Sequence, residues 1–195
     1  MAKINIDRLF LATITKDELG SNNLTFATPE YIPGIQQFSS KAKTNTGSNY
    51  EEGKLVDQDI TLQDLEISID LGHFSNQQYA KYLGHSIAST GGVFCKDTDV
   101  APWVSLLVEY TKAGGVEKGY LVLYKGKLVE PDIDVKQAEG KVDYQNSTVT
   151  ATFQPLTNNG MYQYMVETDD PDCPEDIATT FFASVIVPTP KTVTP

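Results

Sequence analysis

The run Leu65-Glu66-Ile67-Ser68-Ile69-Asp70-Leu71 alternates four apolar residues with three polar ones. A period of two is the pattern of a β-strand with one face in a core and the other in water. Leu65, Ile67, Ile69 and Leu71 therefore turn inward, and Glu66, Ser68 and Asp70 turn outward. Ile60 and Leu62 have the opposite parity, which predicts a bulge or bend near Gln63 and Asp64. A chain carrying this segment must build a sheet with one wet, acidic face.

The rest of the sequence has the same texture, with short runs of Val, Ile, Thr, Tyr and Phe separated by Gly, Asn and Pro. Residues 101–110 are apolar on both parities, Trp103 and Leu107 on one and Val104, Leu106 and Val108 on the other. Such a strand is covered on both sides, near the middle of a sandwich. Lys112-Ala113-Gly114-Gly115 turns the chain toward residues 119–124, and Lys125-Gly126 predicts a tight turn into residues 127–129. A Thr-rich strand is expected over residues 142–153. Asn158-Asn159-Gly160, tolerant of positive φ, predicts a hairpin leading into residues 161–168.

Two segments read as helices. Residues 75–84 open on Ser75 with Gln78 three positions on, a capping box, and stop at Gly84. Residues 174 to about 183 carry Asp172, Glu175 and Asp176 at their start, where the helix dipole favours anions. By contrast, residues 39–53 read SSKAKTNTGSNYEEG, polar and nearly free of large apolar groups, which predicts a long loop. From residue 188 the chain reads PTPKTVTP and is expected to be extended and mobile. No repeat or linker divides the 195 residues, so one mainly β domain is expected over 1–195, and 40 % hydrophobic content suffices for its core.

Charge narrows the function. Asp and Glu number 26 against 15 Lys and Arg, a net −11 that repels nucleic-acid phosphate and anionic membranes. No stretch of eighteen apolar residues and no signal peptide is evident, so folding in a cytoplasm is expected. Cys95 and Cys173 match no metal or redox spacing and read as free, partly buried thiols. His73 and His85 flank the first helix with no HxH or HExxH pattern, the mark of surface or helix-end residues. The glycine pairs fit no phosphate-binding loop, and no GxSxG elbow exists.

Acids cluster twice, seven over residues 51–70 against Lys54 alone and six over residues 167–176 with no base. The second cluster superficially suggests calcium, but the EF-hand spacing is absent and solvated acidic faces are the preferred reading. Paired-carboxylate glycoside hydrolysis is conceivable, yet no separation between two acids is fixed by the sequence. No catalytic residue, metal ligand or cofactor is expected, and the chain is not read as an enzyme.

The order of features over residues 50–182 resembles the major tail protein of long-non-contractile-tailed phages. The resemblance rests on Glu52-Gly53-Lys54-Leu55-Val56, the alternating strand, Tyr82-Leu83-Gly84-His85, and Asp99-Val100-Ala101-Pro102-Trp103-Val104. Further along it rests on Tyr120-Leu121-Val122-Leu123-Tyr124-Lys125-Gly126-Lys127, the Thr-rich strand and Glu167-Thr168-Asp169-Asp170-Pro171. It implies a tail-tube β-sandwich or barrel with one or two short helices, a long loop and extended terminal arms. It also implies hexameric rings stacked into a tube in the virion, assembled in the host cytoplasm. The implied partners are further copies of the chain, a tape-measure protein, tail-end proteins and DNA in passage, with no membrane.

Two sets of residues are assigned on this basis. The loop at 39–53, with Ser39, Lys41, Lys43, Asn45, Asn49, Tyr50, Glu51 and Glu52, is expected to be an assembly arm ordered against a neighbouring subunit. Asp57, Asp59, Glu66 and Asp70, on the wet face of the strand from 55 to 71, are expected to line the channel, where acid keeps DNA from adhering. The alternative is a monomeric or trimeric β-sandwich binding module, a carbohydrate-binding domain or adhesin, with Trp103 or Tyr162 and Tyr164 as a sugar platform.

Overall fold

The computed structural model describes residues 2–52, 54–132 and 147–189. The chain begins with β1 (Lys3–Asp17), β2 (Leu24–Phe26), β3 (Glu30–Ile32), β4 (Ile35–Glu51) and β5 (Lys54–Leu71). Then come α1 (Asn76–Leu83), β6 (Ser86–Ile87), β7 (Val93–Phe94), β8 (Val104–Lys112) and β9 (Lys118–Leu128). It closes with β10 (Ser147–Gln154), β11 (Gln163–Glu167) and α2 (Ile177–Thr180). The main sheet runs β2-β1-β8-β9-β10-β5-β4, antiparallel throughout, with β3 also beside β1 and β11 also beside β9. β6 and β7 form a separate small hairpin.

The sheet folds over itself between β9 and β10 to make a sandwich. Val104, Leu106 and Val108 of β8, with Leu9, Leu11 and Leu123, face Leu65, Ile67, Ile69, Val149 and Phe153 across the first core, and Tyr82 and Leu83 of α1 join them. A second core lies on the reverse of the same central strands, where Leu107, Tyr120, Val122 and Tyr124 meet Leu156, Val166, Ile177 and Phe181. β8 is thus buried on both faces, as its two-sided apolar run requires. β5 and β10 each have one core face, and β10 alternates buried and exposed along its length. Among the described residues the sandwich is open: β4 ends the strand order and no barrel closes.

α1 forms where its caps place it. Ser75 N donates to Gln78 Oε1 at 3.1 Å and Gln78 N to Ser75 Oγ at 3.3 Å, and Gly84 takes φ +80 to end the helix. The bulge is also where parity demands it, since the pairing passes from Lys43↔Asp64 to Thr44↔Leu62 and leaves Gln63 unmatched.

Several expectations are corrected. Residues 39–51 are not a loop but belong to β4, and β4 and β5 pair out to Glu51↔Lys54 as one long hairpin; residue 53 lies outside the described residues. Apolar periodicity reports burial, so a ladder wet on both faces carries no such signal. Nor is Lys125-Gly126 a turn. β9 runs through it with a register shift against β8, and a Cβ at Gly126 would lie 2.6 Å from the Phe153 ring. Glycine is there for that packing.

The Asn158-Asn159-Gly160 turn does not join a hairpin either, because β10 and β11 lie in line along the same edge of β9. The excursion between them instead docks on Asp17, which accepts from Thr157 N at 3.0 Å, Asn158 N at 2.9 Å and Lys125 Nζ at 2.6 Å. The second helix shrinks to the single turn α2, whose Asp176 makes no side-chain cap. The N-terminal segment is no arm but β1, a strand paired along most of its length with β8. Near the C-terminus Val185, Ile186 and Val187 pack on the second core. Residues 190–195 of the expected tail and 142–146 of the expected Thr-rich strand lie outside the described residues. Among the described residues no helix is long and apolar enough to cross a membrane.

Candidate assembly surface

Beyond the sandwich, among the described residues, β4 and β5 pair only with each other. β10 accompanies β5 over residues 65–71 and no further. From the bulge to the tip the hairpin extends about eight residues a side, about 25 Å at about 3.3 Å per residue. Every residue from 54 to 61 is exposed. Among them Leu55, Val56 and Ile60 keep 51 %, 57 % and 63 % of their surface in water. A two-stranded ribbon of this kind is marginal in water unless something packs on it.

Paired residues on neighbouring strands share a face, so the register assigns the side chains. Asn49 pairs with Asp57, Gly47 with Asp59, Lys43 with Asp64, Lys41 with Glu66, Ser39 with Ser68 and Gln37 with Asp70. The two residue sets that the sequence suggested separately are therefore two strands of one surface. Ser39, Lys41, Lys43, Asn45 and Asn49 of β4 stand beside Asp57, Asp59, Glu66 and Asp70 of β5. Tyr50 and Glu51 end β4, and Glu52 sits in the tip turn with φ +50.

Thr148, Thr150 and Thr152 of β10 extend this surface, and Thr148 Oγ1 donates to Asp70 Oδ1 at 2.7 Å. Lys43 forms an ion pair with Glu66, which raises the lysine's pKa. With Asp64 the surface holds five acids against Lys41 and Lys43, so it stays negative although one pair is neutralised.

The sheet edges are open at the same end. Among the described residues β4 has β5 as its one strand partner, and no strand lies against the outer edge of residues 37–49. Among the described residues, strand residues 3–8 of β1 pair only with β8, since β3 and β2 meet β1 at residues 9–11 and 14–17. Where the free stretches of β1 and β4 approach, a cleft of about 300 Å³ is lined by Ile4, Ile6, Gln37, Phe38 and Tyr110. Unpaired backbone edges of this length invite pairing with another chain.

The second acidic cluster is organised by a lysine. Lys112, whose side chain is only 2 % exposed, pairs with Glu167 and with Asp169 at 2.6 Å, and Tyr110 Oη donates to Glu167 at 2.9 Å. The Lys112 hydrogen bonds hold both carboxyls below their usual values. An ammonium thus stands where the sequence hinted at calcium. The aromatic residues considered as a sugar platform are occupied as well. Lys125 and Lys127 lie 4.9 Å and 4.7 Å from the Trp103 ring centroid, Tyr162 packs on the first core and Tyr164 on the second.

Sequence spacing missed one cluster. His85 precedes β6 and Cys95 follows β7, and the pairing Ser86↔Phe94 sets the two at the open end of that hairpin. His85, Cys95 and Glu130 each bring a ligating atom to within 4.8 Å of the others. The signal that could have found them is Gly91-Gly92, both at positive φ in the hairpin turn between His85 and Cys95. His73 is exposed and has no part in it. Cys95 is exposed rather than partly buried, and Cys173 is half-buried with its thiol pKa pushed up by burial.

Compared with protein-family models and with curated proteins, the chain matches none.

Proposed function

We propose that this chain is a structural subunit that self-assembles into rings stacked as the tail tube of a long-tailed phage, and that it carries no catalytic step. The observation that carries the reading is the β4–β5 arm, a ribbon wet on both faces that displays Leu55, Val56 and Ile60 to solvent. A monomer gains nothing from such an arm. A neighbouring subunit or ring that covers it gains apolar burial and a partner for the open edges of β4 and β1.

Repetition around a ring and along a stack multiplies each modest contact. The hexameric ring, the tape-measure and tail-end partners and the virion location follow from the family resemblance. On this reading the face carrying Asp57, Asp59, Glu66 and Asp70 lines the channel. DNA passing such a wall meets carboxylates and threonine hydroxyls, so no ladder of phosphate contacts accumulates from ring to ring. Lys41 and Lys43 temper that field without reversing its sign.

Negative-stain microscopy of the purified full chain tests the proposal. Rings or tubes are the expected result. A stable monomer at high concentration overturns it and leaves the monomeric binding module as the better account, and a ring with these acids on its outer wall overturns the channel assignment alone.

A further inference from the structure

The cluster at the base of the β6–β7 hairpin joins three kinds of donor: an imidazole nitrogen, a thiol sulfur and a carboxylate oxygen, from His85, Cys95 and Glu130. The imidazole is held in place. Its side chain is 8 % exposed, its Nδ1 lies 2.9 Å from Asp99 Oδ2, and its ring stacks on Tyr79 with centroids 5.2 Å apart. Asp99 is fixed in turn by Lys96 N, which donates to Oδ2 at 2.9 Å. Gly84 lets the end of α1 press against the segment leading to β8, because a Cβ there would lie 2.2 Å from Val100 O. The other ring nitrogen, Nε2, faces Glu130 Oε2 at 2.9 Å. Cys95 and Glu130 are exposed and reach the histidine from the solvent side.

We propose that His85, Cys95 and Glu130 form a binding site for a divalent transition metal of the zinc class, with Asp99 orienting His85. The donor set favours that class. Hard cations such as calcium and magnesium take oxygen ligands, whereas thiolate with imidazole and carboxylate suits zinc and its neighbours. The distances allow it too. Tetrahedral coordination at the usual bond lengths sets its ligands about 3.3–3.6 Å apart, so the His85–Glu130 pair opens by about half an ångström and the thiolate moves in by about one at most.

An Asp99 carboxylate on Nδ1–H leaves Nε2 as the metal donor, the arrangement in which a carboxylate fixes the histidine tautomer and ring orientation. Binding releases two protons to solvent, the Cys95 S–H proton and the proton shared in the His85–Glu130 hydrogen bond, and the metal takes the place of both. Three protein ligands leave a fourth position for water or for a donor from outside the chain. The site stands independently of the tube reading.

Cobalt(II) reports the site directly. The full chain is reduced, freed of metal with a chelator, and titrated with Co²⁺ while its absorption is followed. Stoichiometric binding with a thiolate-to-cobalt charge-transfer band, lost on addition of Zn²⁺, is expected. Cys95→Ser removes the band and weakens binding at least tenfold, and Cys173→Ser leaves both unchanged. Asp99→Asn keeps the band and weakens binding about 10- to 100-fold.

Zn²⁺ also slows alkylation of Cys95 in the unmutated chain and leaves Cys173 unprotected, a readout that needs no variant to fold. The proposal is overturned by an absence of saturable binding, or by a charge-transfer band that survives Cys95→Ser. It is equally overturned if His85→Asn binds as tightly as the unmutated chain. In that case His85 only bridges Asp99 and Glu130 by hydrogen bonds, and the nearby thiol has no part in it.

Discussion

Replacing Leu55, Val56 and Ile60 together by serine separates the arm's role in assembly from any role in folding. These side chains leave 51 %, 57 % and 63 % of their surface in water. Fully burying one aliphatic side chain contributes about 1.5–3 kcal/mol, so covering what remains of these three contributes about 2.5–5 kcal/mol per subunit on assembly. At about 1.4 kcal/mol per decade, the critical concentration for tube formation rises by about two to four decades in the triple variant. The folded monomer loses little, because these positions are already wet. Its unfolding free energy shifts by about 1 kcal/mol at most, mainly through the lower strand propensity of serine. Sedimentation of assembled material against protein concentration gives the first quantity, and urea denaturation gives the second. A critical concentration raised by less than about tenfold, with the monomer still folded, refutes the assignment of the arm as an interface.

Gly126→Ala drives a methyl against the fully buried Phe153 ring and costs about 1–3 kcal/mol by urea denaturation. Phe153→Leu in the same chain recovers part of that loss, whereas strictly additive costs refute the contact. Lys112→Met flattens the acid limb of stability. Glu167 and Asp169 are held below their usual values of 4.5 and 3.8, so their contribution is complete above that range and is lost as pH falls below about 4.5. Denaturation midpoints followed from neutral to acid pH then fall more steeply in the unmutated chain than in the variant, and parallel curves refute the pairing. Deleting Gln63 removes the bulge, so the folded monomer persists with a straighter arm while tubes form poorly or not at all under the microscope. Tubes of normal width and length from that deletion refute the bulge as the element that aims the arm.

The strands that bury a face were legible because burial writes a pattern. β5 over residues 65–71 alternates because one side meets the core, and β8 is apolar on both parities because two cores sandwich it. α1 was legible for a different reason, since Ser75, Gln78 and Gly84 satisfy backbone groups locally and need no tertiary partner. What escaped notice lacked either kind of mark. The arm from residue 44 to its tip buries neither face, so it reads as polar chain. Gly126 looked like a turn residue because a Gly's two uses, positive φ and close approach, look alike in one dimension. β10 and β11 share an edge of β9 only because of a long-range register, and His85 meets Glu130 across 45 residues, a contact no local spacing announces.

The bulge connects the readable part of this chain to the unreadable part. Ile60 and Leu62 are out of phase with Leu65, Ile67, Ile69 and Leu71, and so are Asp57 and Asp59 with Glu66 and Asp70. In an unbroken ladder Gln63 pairs with Thr44, and every residue beyond it moves to the opposite face. Ile60 and Leu62 then fall among the acids, while Asp57 and Asp59 leave them. The observed shift from Lys43↔Asp64 to Thr44↔Leu62 keeps both sets sorted from Asp57 to Leu71, acids on one side and aliphatics on the other. In the body of the protein that sorting is enforced by a core. In the arm no core exists, since both faces are wet, and yet the sorting continues to Asp57. An arm exposed on both sides gains nothing from segregating Ile60 and Leu62 from the acids while it stays alone. The segregation becomes useful when one face meets a neighbour and the other meets water, and that is the physical reason to regard the arm as half of an interface.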